Sequence, residues 1–105
     1  MKICKKAKRK QNMTVGQIER WTNTQAYRDY RKYRDGQKYQ GYTRNVVERA
    51  KSVARGTATK SQCEKVYSYL SRAKRINSGK RKFGKGRRKV SANTAALRNW
   101  GYDPT

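Results

Sequence analysis

The sequence predicts an all-α protein: a small bundle of three main helices plus a short C-terminal helix, with a basic loop or β-hairpin at about 79–90. Three observations support this fold class. Apolar residues recur at helical spacing in four separate segments. A Thr or Ser lies at the start of each segment and a Gly follows its end, which is typical of helix caps. Residues 79–90 break the pattern, because they combine three glycines with a run of Lys and Arg.

The first helix is predicted over Val15–Tyr33, with Thr14 as its N-cap. Its opposite side is rich in arginine and lysine. Asp35-Gly36 then predicts a stop or turn, and the polar segment 37–42 is expected to be a loop. The apolar stripe of this helix consists of Val15, Ile18, Thr22, Ala26, Tyr30 and Tyr33.

The second helix is predicted over Thr43–Arg55, because apolar residues follow one of its faces and cations the other. Gly56 is its predicted C-terminal cap. The third helix is predicted to begin near Thr59 with a capping box, in which a side chain at each end of the first turn binds a backbone amide. Two such boxes fit the sequence, Thr59 with Gln62 and Ser61 with Glu64.

The short C-terminal helix has the sequence "ANTAALRN", with Ser91 as its cap and Gly101 after its end. The elements together predict one small helical domain at 13–101, preceded by a basic N-terminal arm at 1–12 and followed by a tail at 102–105. Its predicted core is thin. The core residues are Val15, Ile18, Tyr33, Val46, Val47, Val53, Val66, Leu70, Leu97 and Trp100.

Positive charge dominates the composition. The 105 residues include 29 Lys and Arg but only 6 Asp and Glu, so the formal net charge is +23. Leu, Ile, Val and Phe number only 12, which leaves little apolar surface to offset the repulsion between like charges. Eight Tyr and two Trp add large contact areas and argue against full disorder. We therefore expect a folded protein whose charge is neutralised by an anionic partner.

No segment predicts export or membrane insertion. The basic N-terminus lacks the apolar run of a secretory signal, and no stretch has the length of a transmembrane helix. We expect an intracellular protein, of the cytoplasm or nucleoid or associated with a virion, with no membrane partner. Two cysteines and no histidine are too few for a disulfide framework or a zinc site, so no metal or cofactor is expected. Cys63 is predicted to be a buried thiol and Cys4 a more exposed one.

One stretch has the glycine spacing of a phosphate-binding nucleotide loop. Gly79, Gly84 and Lys85 match the G-x-x-x-x-G-K part of that motif. The residues before it follow a helical pattern rather than that of a buried strand, and Gly86 stands where the motif needs Ser or Thr to hold magnesium. No apolar strand ending in Asp offers the second magnesium ligand. We interpret the match as accidental.

An enzyme is difficult to build from the remaining residues. Without histidine, the usual general base at neutral pH is missing. The six acidic residues are scattered and lie mostly beside Arg or Lys, which predicts local ion pairs rather than a metal-binding cluster. A nuclease that uses Asp29 and Asp35 is the remaining enzymatic alternative. We predict that the protein is not an enzyme.

The first candidate binding surface is the basic loop, in which seven of the ten residues at 80–89 are cationic. Its glycines allow the backbone to approach a surface closely, and Phe83 and Val90 could be the apolar contacts of a short β-hairpin. Such a loop fits a nucleic-acid backbone, because each phosphate contact releases counterions. The alternative is a solvated loop without a target. The cations are Lys80, Arg81, Lys82, Lys85, Arg87, Arg88 and Lys89.

The second candidate surface combines aromatic residues with arginines. Aromatic rings beside arginine can stack on bases or support guanidinium groups against phosphates. The alternative is that these rings cover arginine side chains or pack on a neighbouring helix. The candidates are Trp21, Tyr27, Arg28, Arg31, Arg34, Tyr39 and Tyr42, together with Lys5, Lys6, Lys8, Arg9 and Lys10 in the N-terminal arm.

We predict a nucleic-acid-binding protein, with DNA favoured over RNA, that contacts phosphates through the basic loop and the Arg/Tyr-rich first helix. The N-terminal arm would become ordered only on the nucleic acid. The composition of the whole chain, which is small, highly cationic and contains many aromatic residues, is typical of phage and viral DNA-binding proteins, ribosomal proteins and genome-packaging proteins. Within this class, the second and third helices could form a helix-turn-helix. The alternative function is a small basic effector or inhibitor that docks on an acidic surface of a larger protein or nucleoprotein machine.

Overall fold

Six helices and one short hairpin make up the described part of the chain, residues 2–73 and 81–105, in a computed structural model. The predicted all-α fold class is confirmed, and the predicted basic loop or β-hairpin is a hairpin, whose two strands form a small antiparallel sheet. A 3₁₀ turn at Gly86–Arg88 lies between the two strands. The elements are α1 (Lys2–Lys10), α2 (Val15–Thr22), α3 (Gln25–Gln37), α4 (Tyr42–Arg55), α5 (Lys60–Ala73), β1 (Lys82–Phe83), β2 (Val90–Ser91) and α6 (Ala92–Asn99).

The predicted first helix is two helices in the structure. α2 ends at Thr22, and Thr24 begins α3, since its hydroxyl accepts a hydrogen bond from the backbone amide of Tyr27 at 3.1 Å. α3 then continues through the predicted stop at Asp35-Gly36 and ends at Gln37. Apolar spacing alone misses the break, because threonine is acceptable inside a helix and also caps one, and only the local hydrogen bonds decide between the two.

The helix caps predicted at Gly56, Thr59 and Ser91 are confirmed. Gly56 ends α4 with a φ of +86°, a left-handed conformation that glycine adopts without steric cost. Before α5, Thr59 Oγ1 accepts from the Gln62 amide at 3.2 Å, and Gln62 Oε1 accepts from the Thr59 amide at 2.9 Å. The first of the two possible capping boxes is therefore formed. Ser91 Oγ accepts from the Thr94 amide at 3.2 Å and begins α6.

The basic N-terminal segment, predicted to be an arm ordered only on nucleic acid, is the helix α1 and packs against α5. Ala7 is fully buried in this contact. Cys4 of α1 and Cys63 of α5 form a disulfide, with their Cα atoms 4.9 Å apart. The prediction of two unpaired thiols is therefore wrong. Their sequence separation of 59 residues hides the pairing, because only the packing of α1 on α5 brings the two cysteines together.

The buried side chains form two clusters, and α4 and α6 contribute to both. The first cluster joins α2, α3 and the hairpin and contains Met13, Ile18, Trp21, Ala26, Tyr27, Tyr30, Val47, Ala50, Phe83 and Ala95. The second joins α1 and α5 and contains Ala7, Val46, Val53, Cys63, Val66, Leu70, Leu97 and Trp100. Because α4 and α6 present a different face to each cluster, α1 and α5 lie on one side of this helix pair and the hairpin lies on another.

Eight of the ten residues predicted for the core are buried, while Val15 and Tyr33 are partly exposed. Aromatic side chains fill much of the space that aliphatic residues are too few to fill. Trp21, Tyr30 and Phe83 are buried among them. Burial raises the pKa of the Tyr30 hydroxyl to about 12, since the charged phenolate is poorly solvated there. Much of the core is therefore aromatic, as the count of eight tyrosines allows.

Candidate nucleic-acid interface

The basic hairpin is fixed on α3 by its one phenylalanine. Phe83 pairs with Val90 across the two strands, as the sequence predicts for the apolar contacts of this hairpin. The Phe83 ring meets the ring of Tyr30 edge-on, with 5.2 Å between centroids, and the tilted ring of Tyr33 at 5.3 Å. Aromatic pairs at these distances stabilise the contact beyond the area that they bury. The loop between the strands is therefore held at a defined position on α3.

Gly84 brings the start of this loop against α3. Its φ is +106°, and a Cβ atom there would lie 3.1 Å from the Ala26 Cβ and 3.2 Å from the carbonyl oxygen of Arg88. Only glycine suits both this conformation and this space. Asp29 Oδ2 accepts a hydrogen bond from the Gly84 amide at 3.2 Å, while its Oδ1 accepts one from the Gln25 side-chain amide at 2.7 Å. Asp29 therefore anchors the loop to α3.

A groove of about 690 Å³ lies between this loop and the N-terminal end of α3, and we call it the basic groove. Ala26, Val90 and Trp21 contribute apolar surface to it. No Asp or Glu is among the described residues that line it. Positive charges around a concave surface, without negative charges among them, create a positive potential that attracts anions. The cations that line the basic groove are Arg28 of α3, Lys85, Arg87, Arg88 and Lys89 of the loop, and Arg98 of α6.

Arg98 differs from the other five cations, because a carboxylate offsets its charge. Its Nε lies 3.3 Å from Asp103 Oδ1, and its guanidinium lies over the Trp21 ring at 5.1 Å. Partial burial works to raise the pKa of Asp103, but hydrogen bonds from Thr105 and the charge of Arg98 hold that pKa below its ordinary value. Arg98 and Thr24 also border a neighbouring cavity of about 460 Å³, which Asp103 lines as well.

Most of the positive charge on the described residues has no acidic partner among them. Three ion pairs form within residues 2–73 and 81–105: Arg31 with Asp35, Lys51 with Glu48, and Arg98 with Asp103. In these ranges no Lys or Arg of the hairpin or of α1 pairs with a carboxylate. The exposed charges therefore repel one another across the surface, and binding an anion would relieve that repulsion.

The structure brings five of the predicted cationic binding residues together in the basic groove. They are Arg28, Lys85, Arg87, Arg88 and Lys89. Two others of the hairpin lie outside it: Arg81 stacks over the ring of Tyr33 at 4.5 Å, and Lys82 is exposed on β1. Lys80, like Gly79 of the rejected nucleotide-loop match, lies outside the described residues.

Two of the predicted base-stacking residues, Trp21 and Tyr27, belong to the core instead. They are 4% and 5% exposed, and their rings meet edge-on at 5.9 Å. The indole nitrogen of Trp21 donates to Asn99 Oδ1 at 2.7 Å. A base cannot stack on either ring, so the packing alternative is correct for both. The sequence misplaces them because the break before Thr24 changes which sides of α2 and α3 face the core.

The other two stacking candidates, Tyr39 and Tyr42, lie away from the basic groove. Tyr39 follows α3 and is 56% exposed, and its ring meets the partly buried ring of Tyr42 edge-on at 5.5 Å. Arg34 lies over the Tyr42 ring at 5.6 Å. Arg31 pairs with Asp35, so its charge is partly offset. These residues form a second, smaller group of aromatic and arginine side chains.

The cations of the predicted N-terminal arm project from α1. None of them lines the basic groove. Lys10 lies over the ring of Tyr67 on α5 at 5.7 Å. The other four of them that were predicted to bind, Lys5, Lys6, Lys8 and Arg9, are exposed, and so is Lys2.

The helix-turn-helix alternative stays a prediction. α4 and α5 follow each other across residues 56–59, and the exposed side of α5 includes Lys65, Ser68 and Arg72. In a winged helix-turn-helix, the hairpin that follows α5 would be the wing; in this protein the hairpin packs on α3.

The two carboxylates of the nuclease alternative have structural roles. Asp29 anchors the hairpin, and Asp35 Oδ1 accepts a hydrogen bond from the Thr43 amide at 3.0 Å at the start of α4. Partial burial works to raise the pKa of Asp35, but the hydrogen bonds from Thr43 and Gly41 and the charge of Arg31 hold it below its ordinary value. Among the described residues, no three His, Cys, Asp or Glu side chains are placed to hold a metal ion.

Comparison with protein families, with curated proteins and with solved structures found no match to this chain. Within the two described ranges, no helix combines the length and the apolar character that crossing a bilayer requires.

Removal of the Asp29 carboxylate is expected to free the hairpin loop from α3. Asp29→Ala leaves the Gly84 amide without its acceptor, and a hydrogen bond to a charged group contributes about 1.5–3 kcal/mol. We expect the Gly84 amide to exchange its hydrogen about tenfold faster or more. Asp29→Asn, which keeps an acceptor oxygen, is the matched control and should change exchange less. Unchanged exchange at Gly84 in Asp29→Ala would contradict the anchoring role.

Proposed function

We propose that the protein binds nucleic acid, with DNA favoured over RNA, by holding a phosphate backbone in the basic groove. One observation supports this proposal above the others. Five cations that pair with no carboxylate among the described residues converge on one groove from two distant parts of the chain, α3 and the hairpin loop. A solvated loop without a target would not need this convergence, and phosphate is the anion that such a row of Lys and Arg binds in nucleic acids.

The groove is arranged before any partner binds. Arg28 donates from Nη1 to the carbonyl oxygen of Asn23 at 2.9 Å and from Nη2 to Gln25 Oε1 at 3.2 Å, which orients its guanidinium. Asp29 holds the loop that presents the other four cations. Side chains and loops that are already ordered lose less entropy when they bind, so a fixed groove favours affinity.

Phosphate contacts of this kind predict binding with little sequence preference. Contacts to the backbone position a protein on nucleic acid but do not read its bases. The two aromatic rings that could have stacked on bases beside the groove, Trp21 and Tyr27, are buried. We infer a protein that coats or packages nucleic acid rather than one that selects a short site.

The disulfide favours one of the locations that the sequence predicts. A bond such as Cys4–Cys63 persists in oxidising surroundings, including the surface or interior of a virion outside the cell, and is rare in a reducing cytoplasm. We therefore propose association with a virion in preference to the cytoplasm or nucleoid. This location agrees with a phage or viral nucleic-acid-binding protein.

The test is a fluorescence-anisotropy titration against labelled duplex DNA, single-stranded DNA and duplex RNA over a range of salt concentrations. The groove variant changes Lys85, Arg87 and Arg88 to Gln. We expect it to weaken binding to all sequences alike and to reduce the slope of log affinity against log salt by about three, one for each phosphate contact. The control variant changes Lys32, Lys38 and Arg44 to Gln, which removes the same charge from exposed positions outside the groove.

Two results would contradict the proposal. An equal loss of affinity in the groove and control variants would mean that net charge alone attracts nucleic acid. The second result is weak binding to all three nucleic acids that vanishes at physiological salt. The partner would then be the acidic surface of another protein, since binding at such an interface has an apolar contribution that salt does not remove.

A further inference from the structure

We propose that the outer face of α1 and α5 is a second nucleic-acid-binding surface, so that one molecule bridges two duplexes. The inference rests on the proposed function, since the first duplex occupies the basic groove. The second surface, called here the α1–α5 face, consists of the exposed cations Lys2, Lys5, Lys6, Lys8 and Arg9 of α1 and Lys60, Lys65 and Arg72 of α5.

The α1–α5 face has an excess of positive charge that the described residues do not neutralise. Across α1 and α5 the sequence offers one acidic residue, Glu64, against these eight exposed cations. No ion pair between the described residues involves either helix. A surface of this charge has the same electrostatic complementarity to a phosphate backbone as the basic groove has.

The two surfaces lie on different sides of the molecule. Val46 and Val53 of α4 face the cluster that supports α1 and α5, whereas Val47 and Ala50 face the cluster that supports α3 and the hairpin. No residue of α1 or α5 is among those that line the basic groove. A duplex bound in the groove therefore leaves the α1–α5 face open to a second one.

The disulfide explains why so basic a helix is ordered at all. α1 has nine residues, fewer than an isolated helix needs in water, and like charges such as Lys5 and Arg9 lie four residues apart on its surface. The disulfide to Cys63 and the burial of Ala7 hold α1 against α5. A covalent bond that holds the exposed cations of α1 against α5, which also carries exposed cations, does so against their repulsion and suits a surface that binds a large anion.

The segment after α1 fixes the other end of this helix. The side-chain amide of Gln11 donates to the carbonyl oxygens of Ala50 and Trp100, both at 3.1 Å. The backbone amides of Asn12 and Met13 donate to the carbonyl oxygen of Gly101 at 3.1 and 3.2 Å. α1 is thus tied at both ends and presents its cations as a fixed array rather than on a mobile arm.

The experiment measures capture of a second duplex. One duplex DNA is immobilised on beads, oxidised protein is added, and a second, fluorescent duplex of the same length is the probe. We expect wild-type protein to capture it. The face variant changes Lys5, Lys6 and Arg9 to Gln and should lower capture about tenfold or more, because three phosphate contacts are lost at that surface. Its affinity for a single duplex by anisotropy should change less than about threefold, since the groove is intact.

The control is again Lys32, Lys38 and Arg44 changed to Gln, and circular dichroism checks that each variant is folded. Undiminished capture by the face variant would overturn the proposal, and so would an equal loss in the control. A dimer in sedimentation at the assay concentration would also overturn it, because two grooves in one dimer bridge duplexes without a second face. If wild-type protein binds one duplex but captures no second one, bridging fails alone; if it binds none, the proposed function fails.

Discussion

Loss of the Cys4–Cys63 disulfide is expected to lower the free energy of unfolding by about 4 kcal/mol, the chain-entropy estimate for a closed loop of this size. The bond links residues 59 positions apart and so restricts more than half of the unfolded chain. Small domains are stable by only about 5–15 kcal/mol, and this one has few aliphatic residues and a net charge of +23. The disulfide therefore contributes a large share of the stability.

Urea unfolding followed by circular dichroism measures this effect. The variant that changes Cys4 to Ser and Cys63 to Ala should unfold at a lower urea concentration than the oxidised wild type. Reduction of the wild type with a thiol should lower its midpoint in the same way. The same thiol added to the variant is the control for any effect of the reductant, and it should change nothing. If reduction leaves the wild-type midpoint where it was, the disulfide is not a main source of stability.

Hydrogen exchange should locate the first region to open after reduction. Without the disulfide, α1 is held by the packing of Ile3 and Ala7, by Lys10 over the Tyr67 ring and by the bonds of Gln11. α4 and α6 contribute to both clusters, so the amides of α1 should lose protection before theirs. The prediction of a basic arm at residues 1–12 would then be correct for the reduced protein, whereas in the oxidised protein this segment contains the helix α1.

The parts of the fold that local signals determine could be predicted from the sequence. α4, the start of α5 and α6 are where the spacing and caps place them, because a capping residue and the amide that it binds are three residues apart. The pairing of Phe83 with Val90 was also within reach, since a hairpin joins neighbours in the chain.

What depends on distant contacts could not be predicted. Composition alone identifies the seven cations of the basic loop. The groove, however, forms only because Arg28 and this loop face each other, and the loop is held there by the Gly84 amide, which donates a hydrogen bond to Asp29, 55 residues away in the chain. An acidic residue among arginines has the sequence pattern of a local ion pair, so Asp29 gave no sign of this role. The burial of Trp21 and Tyr27 likewise follows from the turn between α2 and α3, which apolar spacing does not resolve.

Leu70→Asp is expected to unfold the protein, with a loss of more than about 4 kcal/mol, which is exceptional for a single substitution. Leu70 is fully buried in the second cluster, where it lies among residues such as Val66, Leu97 and Trp100. An aspartate there would bury a charge without a partner, and burial of an unpaired charge costs far more than the loss of apolar contact. Circular dichroism at 222 nm during thermal unfolding is the measurement.

Two further variants at this position separate the contributions of size and charge. Leu70→Met nearly conserves volume and should cost less than about 1.5 kcal/mol. Leu70→Asn has the shape of aspartate without its charge, so the difference between Asn and Asp measures the buried charge itself. A Leu70→Asp protein that keeps its helical signal would show that this face of α5 is not core.

The same substitution tests whether the two clusters unfold as one unit. α4 and α6 belong to both, so damage at Leu70 should reach the first cluster through them and abolish binding at the basic groove, although none of the described residues that line the groove belongs to the second cluster. The Leu70→Asp protein could instead lose only the helical circular-dichroism signal of α1 and α5 and still bind one duplex. The structure of the groove would then depend on α2, α3, the hairpin and α6 alone. Single-duplex binding would then remain while bridging through the α1–α5 face was lost.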